Sequence, residues 1–96
     1  MSYALSVKAA ASLEIEEAYA YYEEQSKGLG DRFIEEVEDT LGYIAKYPLH
    51  FQVITDTFRQ ALLRRFPFAI VYDVSDTKIT VYSVFHTSRD PETKFT

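Results

Sequence analysis

His86 is the residue best suited to move a proton near neutral pH, and the same C-terminal stretch carries Arg59, Arg64, Arg65 and Arg89. An imidazole can act as general acid or base, while guanidinium groups hold phosphate oxygens through paired N–H donors. Together they make a minimal set for RNA cleavage. A 2′-hydroxyl attacks the adjacent phosphate, a base takes its proton, cations stabilise the transition state and an acid protonates the leaving oxygen. The candidate catalytic residues are therefore His86, Arg64, Arg65 and Arg89, with Arg59 a further phosphate contact. The competing reading is that these groups solubilise strand ends or pair with helix carboxylates. His50, following Pro48, reads as a surface loop residue.

Other chemistries find little footing. The absence of Cys excludes disulfides, thiolate zinc sites and a cysteine nucleophile, and it suits a reducing cytoplasm. Two His and no dense carboxylate cluster predict no metal site, and nothing predicts a small-molecule cofactor. Ser26, Ser83 and Ser88 lack a Gly-x-Ser-x-Gly setting. Gly28 and Gly30 lack the lysine and preceding strand of a phosphate loop, so their expected work is to reverse the chain. Tyr19, Tyr21, Tyr22, Tyr43 and Tyr47 could stack on bases, but on acidic helices they are better placed to bury rings.

The elements that must position these residues follow from periodicity. Tyr3, Leu5 and Val7 alternate and predict a short first strand. Ala11, Ile15, Ala18 and Tyr22 recur at helical spacing, with Ser12 the expected N-cap and Glu14, Glu16, Glu17, Glu23 and Glu24 on the wet arc. After the glycines, Phe33, Val37, Leu41 and Ile44 form a second stripe, with Glu35, Glu36, Glu38 and Asp39 outside and Pro48 marking its end. The short turn predicts an antiparallel helical hairpin. From Phe58 the period becomes that of strands: Phe58–Arg65, Phe68–Val74 and Ile79–Phe85, an antiparallel meander.

Ninety-six residues, 47% apolar and 26% charged, suit one compact domain over 1–96 and rule out wholesale disorder. The longest apolar run, Phe68 to Tyr72, is too short to cross a bilayer, and no signal peptide is expected. The net charge of −5 argues against coating nucleic acid. It is unevenly placed: residues 1–57 carry four basic and eleven acidic side chains, residues 58–96 six and four. A polyanion would thus meet the C-terminal part.

If Val74 opposes Ile79, then Phe68, Ile70, Tyr72, Val74, Ile79, Val81, Ser83 and Phe85 share the core face. Ala69, Val71, Asp73, Thr80, Tyr82, Val84 and His86 take the other, joined across a two-residue turn by Phe58, Gln60, Leu62 and Arg64. One helical hairpin covers one face. This leaves Leu62, Val71, Tyr82 and Val84 as an apolar strip edged by Arg64 and His86, the expected partner-binding surface. Alternatively the flanks of the first strand, residues 49–57 or the tail fold over it.

Four stretches in order resemble a known family: Tyr22–Phe33, then Tyr47-Pro48 with Phe51, then Arg64-Arg65-Phe66-Pro67-Phe68-Ala-Ile-Val-Tyr72, and Val84-Phe85-His86-Thr-Ser-Arg89-Asp90-Pro91. They look like the RelE/ParE toxin superfamily of type II toxin–antitoxin modules. The resemblance implies an α+β fold, β-α-α-β-β-β, with a helical hairpin on one face of an antiparallel sheet. It also implies a cognate antitoxin, usually encoded beside the toxin. RelE-like members cleave mRNA on the ribosome, which Arg64 or Arg65, His86 and Arg89 partly match, although Phe95 stands in place of a terminal Tyr. ParE-like members bind and poison DNA gyrase, and the Phe-Pro-Phe and His-x-x-Arg-Asp-Pro stretches are closer to that branch. The expectations are a ParE-like gyrase inhibitor, a ribosome-dependent endoribonuclease, or a relic that only binds its antitoxin, in each case without membrane or cofactor.

Overall fold

A computed structural model describes residues 3–88. Strand β1 (Ala4–Val7) leads into helices α1 (Ala9–Gln25) and α2 (Leu29–Lys46). A single 3-10 turn (Pro48–His50) follows, and then strands β2 (Gln52–Thr55), β3 (Phe58–Leu62), β4 (Phe68–Ser75) and β5 (Lys78–His86). The expected α+β order is present, with one strand more than the sequence pattern suggested. The sheet runs β1-β5-β4-β3-β2. Its last four strands form an antiparallel meander, and β1 adds to β5 in parallel, so the sheet is mixed.

Helix α1 starts at Ala9, not at a Ser12 cap. The Lys8 N–H donates to the Val81 carbonyl, which holds Lys8 as the last sheet-bound residue, and the alanines that follow enter a helix at once. Gly28 sits at φ 90°, the left-handed conformation needed to turn α1 back into α2. Gly30 has a different reason: a Cβ there would come within 2.7 Å of the Tyr19 carbonyl oxygen, so its hydrogen lets the two helices close. Glu23, in the last turn of α1, accepts the Gly28 and Gly30 N–H groups on its two carboxylate oxygens, each at 2.9 Å. It thereby caps α2 from outside and puts negative charge at its positive end.

The main core lies between the hairpin and one face of the sheet. Phe33 and Ile44 of α2 and Ala11 of α1 are fully enclosed against Ile70, Tyr72, Ile79, Val81 and Val84. Burying such side chains is worth about 1.5–3 kcal/mol each, which makes this face the main source of stability. The strand faces part from expectation at one place. Between Val71 and Tyr72 of β4 the partner strand holds an extra residue: Val71 opposes Ser83 and Tyr72 opposes Val81, leaving Tyr82 as a β-bulge. The side-chain alternation slips by one beyond it. Val84, expected on the open face, turns into the helix-side core at 1% exposure, while Ser83 and Phe85 turn outward.

Candidate functional site

Two regions hold the residues singled out above, on opposite sides of the sheet. The first is the end where β3, β4 and β5 meet. The β3–β4 connection spans residues 63–67 and is therefore longer than a two-residue turn. Phe66 and Phe68 both point into an aromatic cluster with Tyr22 and Phe33, at ring separations of 4.9 Å for Tyr22–Phe66 and 5.0 Å for Phe33–Phe68. Pro67 sits between them in a tight turn that the Phe68 N–H closes on the Phe66 carbonyl. The outer end is pinned as well: the Thr87 N–H and hydroxyl both donate to the Pro67 carbonyl. The Phe-Pro-Phe sequence thus works as two anchors and a bend.

Arg64 and Arg65 are carried on this anchored loop. Their backbone N–H groups donate to the Glu36 carboxylate of α2, a residue that periodicity had placed on the wet face. Adjacent backbone N–H groups of this kind could otherwise cradle a phosphate, so Glu36 occupies that position with the protein's own anion. Both guanidinium groups are exposed and engage no carboxylate among the described residues. His86 joins them at the same end. Because it pairs with Phe68 it lies on the helix side of the sheet, its ring edge-on to that phenylalanine at 5.2 Å, and not on the open face as expected. The Ser88 N–H donates to its Nδ1 at 3.2 Å, which leaves the ring proton of the neutral form on Nε2. Arg64, Arg65 and His86 are thus gathered at one end, and Arg89 lies outside the described residues. Arg59 is committed elsewhere: it donates to the Phe51 carbonyl at 2.7 Å and holds the approach to β2.

The second region is the open face. Leu62 stands there 59% exposed and Tyr82 36% exposed, as expected. Val71 shares the face but is closed in: Ile54 and Phe58 pack against Ala69, Val71 and Phe85 as a small second cluster. The 49–57 segment contributes to this through Ile54, while β2 extends the sheet instead of covering it. Beside the cluster lies a groove of about 370 Å³, lined by Thr55, Phe58, Val71, Tyr82 and Ser83 together with Ala10 and Glu14 of α1. The Phe58 and Tyr82 rings meet edge to face at 5.3 Å. Tyr82 donates its hydroxyl to Asp73 at 3.3 Å. Desolvation, and then the Asp73 carboxylate, raise that phenol above its ordinary value, so it remains a donor at neutral pH. Glu14 accepts the Ser83 hydroxyl and the Val84 N–H at the bulge.

Sequence reasoning missed Glu14, Glu23 and Glu36, each of which caps backbone or side-chain donors of a different element. Only the glycine pair after Glu23 offered a local signal. Among the described residues no group of His, Cys, Asp and Glu is placed to hold a metal, and no helix is long and apolar enough to cross a membrane.

Comparisons with known proteins bear on the family and the fold. A sequence profile of the family described as "ParE toxin of type II toxin-antitoxin system, parDE" matches residues 5–91. No curated protein sequence matches significantly. A chain of the chromosomal ParDE system from P. aeruginosa has a similar structure, with TM-score 0.68 and 14% identity over 91% of this chain and 98% of that one. A chain of the RelBE2 toxin–antitoxin complex from Mycobacterium tuberculosis gives 0.64 and 17%, covering 90% and 99%. At these identities the two structures speak for the fold.

Proposed function

The chain belongs to the ParE toxin family of type II toxin–antitoxin systems, and from that premise we propose that it inhibits DNA gyrase by binding and is neutralised by a cognate antitoxin. The observation that carries the binding mode is the charge pattern. The Glu14 carboxylate lines the groove of the open face, Asp73 accepts the hydroxyl of its Tyr82, and Glu36 fills the backbone donors of the arginine loop. Phosphates would meet repulsion at the first place and an occupied cradle at the second. Exposed Leu62 and Tyr82 suit a protein surface instead. The test is expression in a bacterial host. Gyrase-dependent DNA damage with intact mRNA is expected, and intact DNA together with cleaved mRNA would sink the proposal.

One observation favours a second reading, a ribosome-dependent endoribonuclease. Arg64, Arg65 and His86 do share one end of the sheet, as phosphate contacts and acid or base. On that reading mRNA is cut in a translating extract and His86→Ala abolishes the cut. On the gyrase reading His86→Ala leaves growth inhibition in place. No effect on growth from either protein would leave a chain that only binds its antitoxin.

A further inference from the structure

We propose that the open-face groove receives a single basic side chain, an arginine, from an amphipathic segment of the antitoxin; this rests on the toxin–antitoxin reading above. The groove combines a pair of touching aromatic rings, an apolar lining and acidic neighbours. Phe58 and Tyr82 line it edge to face, with Val71 buried behind them. An arginine matches all three parts. Its methylene stem and guanidinium plane pack against the Phe58 and Tyr82 rings, and its N–H groups turn toward the carboxylates. Glu14 lines the groove while its Oε1 accepts the Ser83 hydroxyl and the Val84 N–H, and Asp73 stands beside Tyr82 and accepts its hydroxyl. A purely aliphatic side chain would leave the carboxylates facing an apolar surface, and a phosphate would face like charge.

The rest of the face sets the neighbours of that arginine. Phe58 and Leu62 lie at the two ends of β3 on the same side of the sheet, about 13 Å apart at roughly 3.3 Å per residue. A segment that seats its arginine in the groove therefore covers exposed Leu62 with an apolar side chain further along. The sign of the charge is the distinctive part. The Glu14 carboxylate of the groove and Asp73 beside Tyr82 set that sign locally, so the segment seated there must bring a cation.

The probe is the protein encoded by the open frame adjoining this one, titrated calorimetrically into the full chain at low and moderate salt. Asp73→Asn, which keeps an acceptor for Tyr82, is expected to weaken binding roughly tenfold and flatten its salt dependence. Glu14→Gln adds to the loss, and thermal unfolding of each variant checks that the fold is intact. Glu38→Gln with Asp39→Asn, an equal loss of charge on an exposed face of α2, leaves affinity unchanged. If the neighbouring protein binds tightly but Asp73→Asn and Tyr82→Ala have no effect, the groove proposal falls while the module reading stands. If it does not bind, both fall. A single-stranded RNA that binds more tightly to Asp73→Asn, and less tightly to Tyr82→Ala, would overturn the proposal in favour of a nucleic acid.

Discussion

Tyr72 has no exposed surface, and its hydroxyl donates to the Pro48 carbonyl, tying the middle of the sheet to the turn after α2. Burial pushes its phenol up to about 12, with the Arg59 guanidinium opposing. The neutral form is therefore favoured in the folded state. The contribution is complete below the ordinary tyrosine value of about 10 and is lost as pH rises through about 12. Denaturation at graded alkaline pH should show this loss, and Tyr72→Phe should be less stable at neutral pH but flatter across that window. Two open-face residues separate in the same manner. Leu62→Asp should leave stability within about 0.5 kcal/mol and weaken antitoxin binding. Val71→Asp places a carboxylate under Ile54 and Phe58, and it should cost roughly 3 kcal/mol or more of folding stability, read by urea titration.

Among the elements, the helical hairpin was the most legible and the last strand the least. Stripes at steps of three and four found both helices because each presents one face to one core, and Gly28 and Gly30 announced the reversal. Gly30→Ala should lower stability by about 1–3 kcal/mol, since the new methyl meets the Tyr19 backbone, and Glu23→Ala by about 1 kcal/mol through loss of the cap on α2; thermal unfolding measures both. Strand β2 escaped notice because four edge residues, Gln52 to Thr55, carry too little alternation to stand out from a loop. The bulge at Tyr82 escaped because a strict period of two was carried across it. Ser83 at a nominal core position, between Tyr82 and Val84, was the available warning. That slip explains why Val84 and His86 fell on the wrong side, whereas Leu62 and Tyr82 were placed correctly.

At the scale of the molecule, charge and shape divide the work. The arginine loop sits at one end of the sheet, locked to α2 by Glu36, and the groove lies between the open face and the start of α1, which lines it through Ala10 and Glu14. Such a distribution predicts weak contact with nucleic acid by the protein alone. Affinity for a DNA duplex, read by anisotropy at physiological salt, should be no tighter than the ~10⁻⁴–10⁻⁶ M of non-specific binding, and Arg64→Gln with Arg65→Gln should remove what remains. The gathering of Arg64, Arg65 and His86 at one end was legible because all three flank the same strand termini. The position of that cluster relative to the apolar surface was not, because it depends on the bulge.

The single unpaired residue in β5 has an evolutionary corollary. It acts as a phase shifter: upstream of Tyr82 odd-numbered side chains are enclosed, and downstream Val84 and His86, which are even-numbered, face the helices. A relative that lost this one codon would keep the same interior with the same letters, because Val81, Ser83, Val84, Phe85 and His86 would then alternate in and out without a break. Aligned sequences of this fold should therefore differ here by a one-residue gap with the same spelling on either side, and deletion of Tyr82 from this chain should cost less stability, read by thermal unfolding, than deletion of Val81 or Val84.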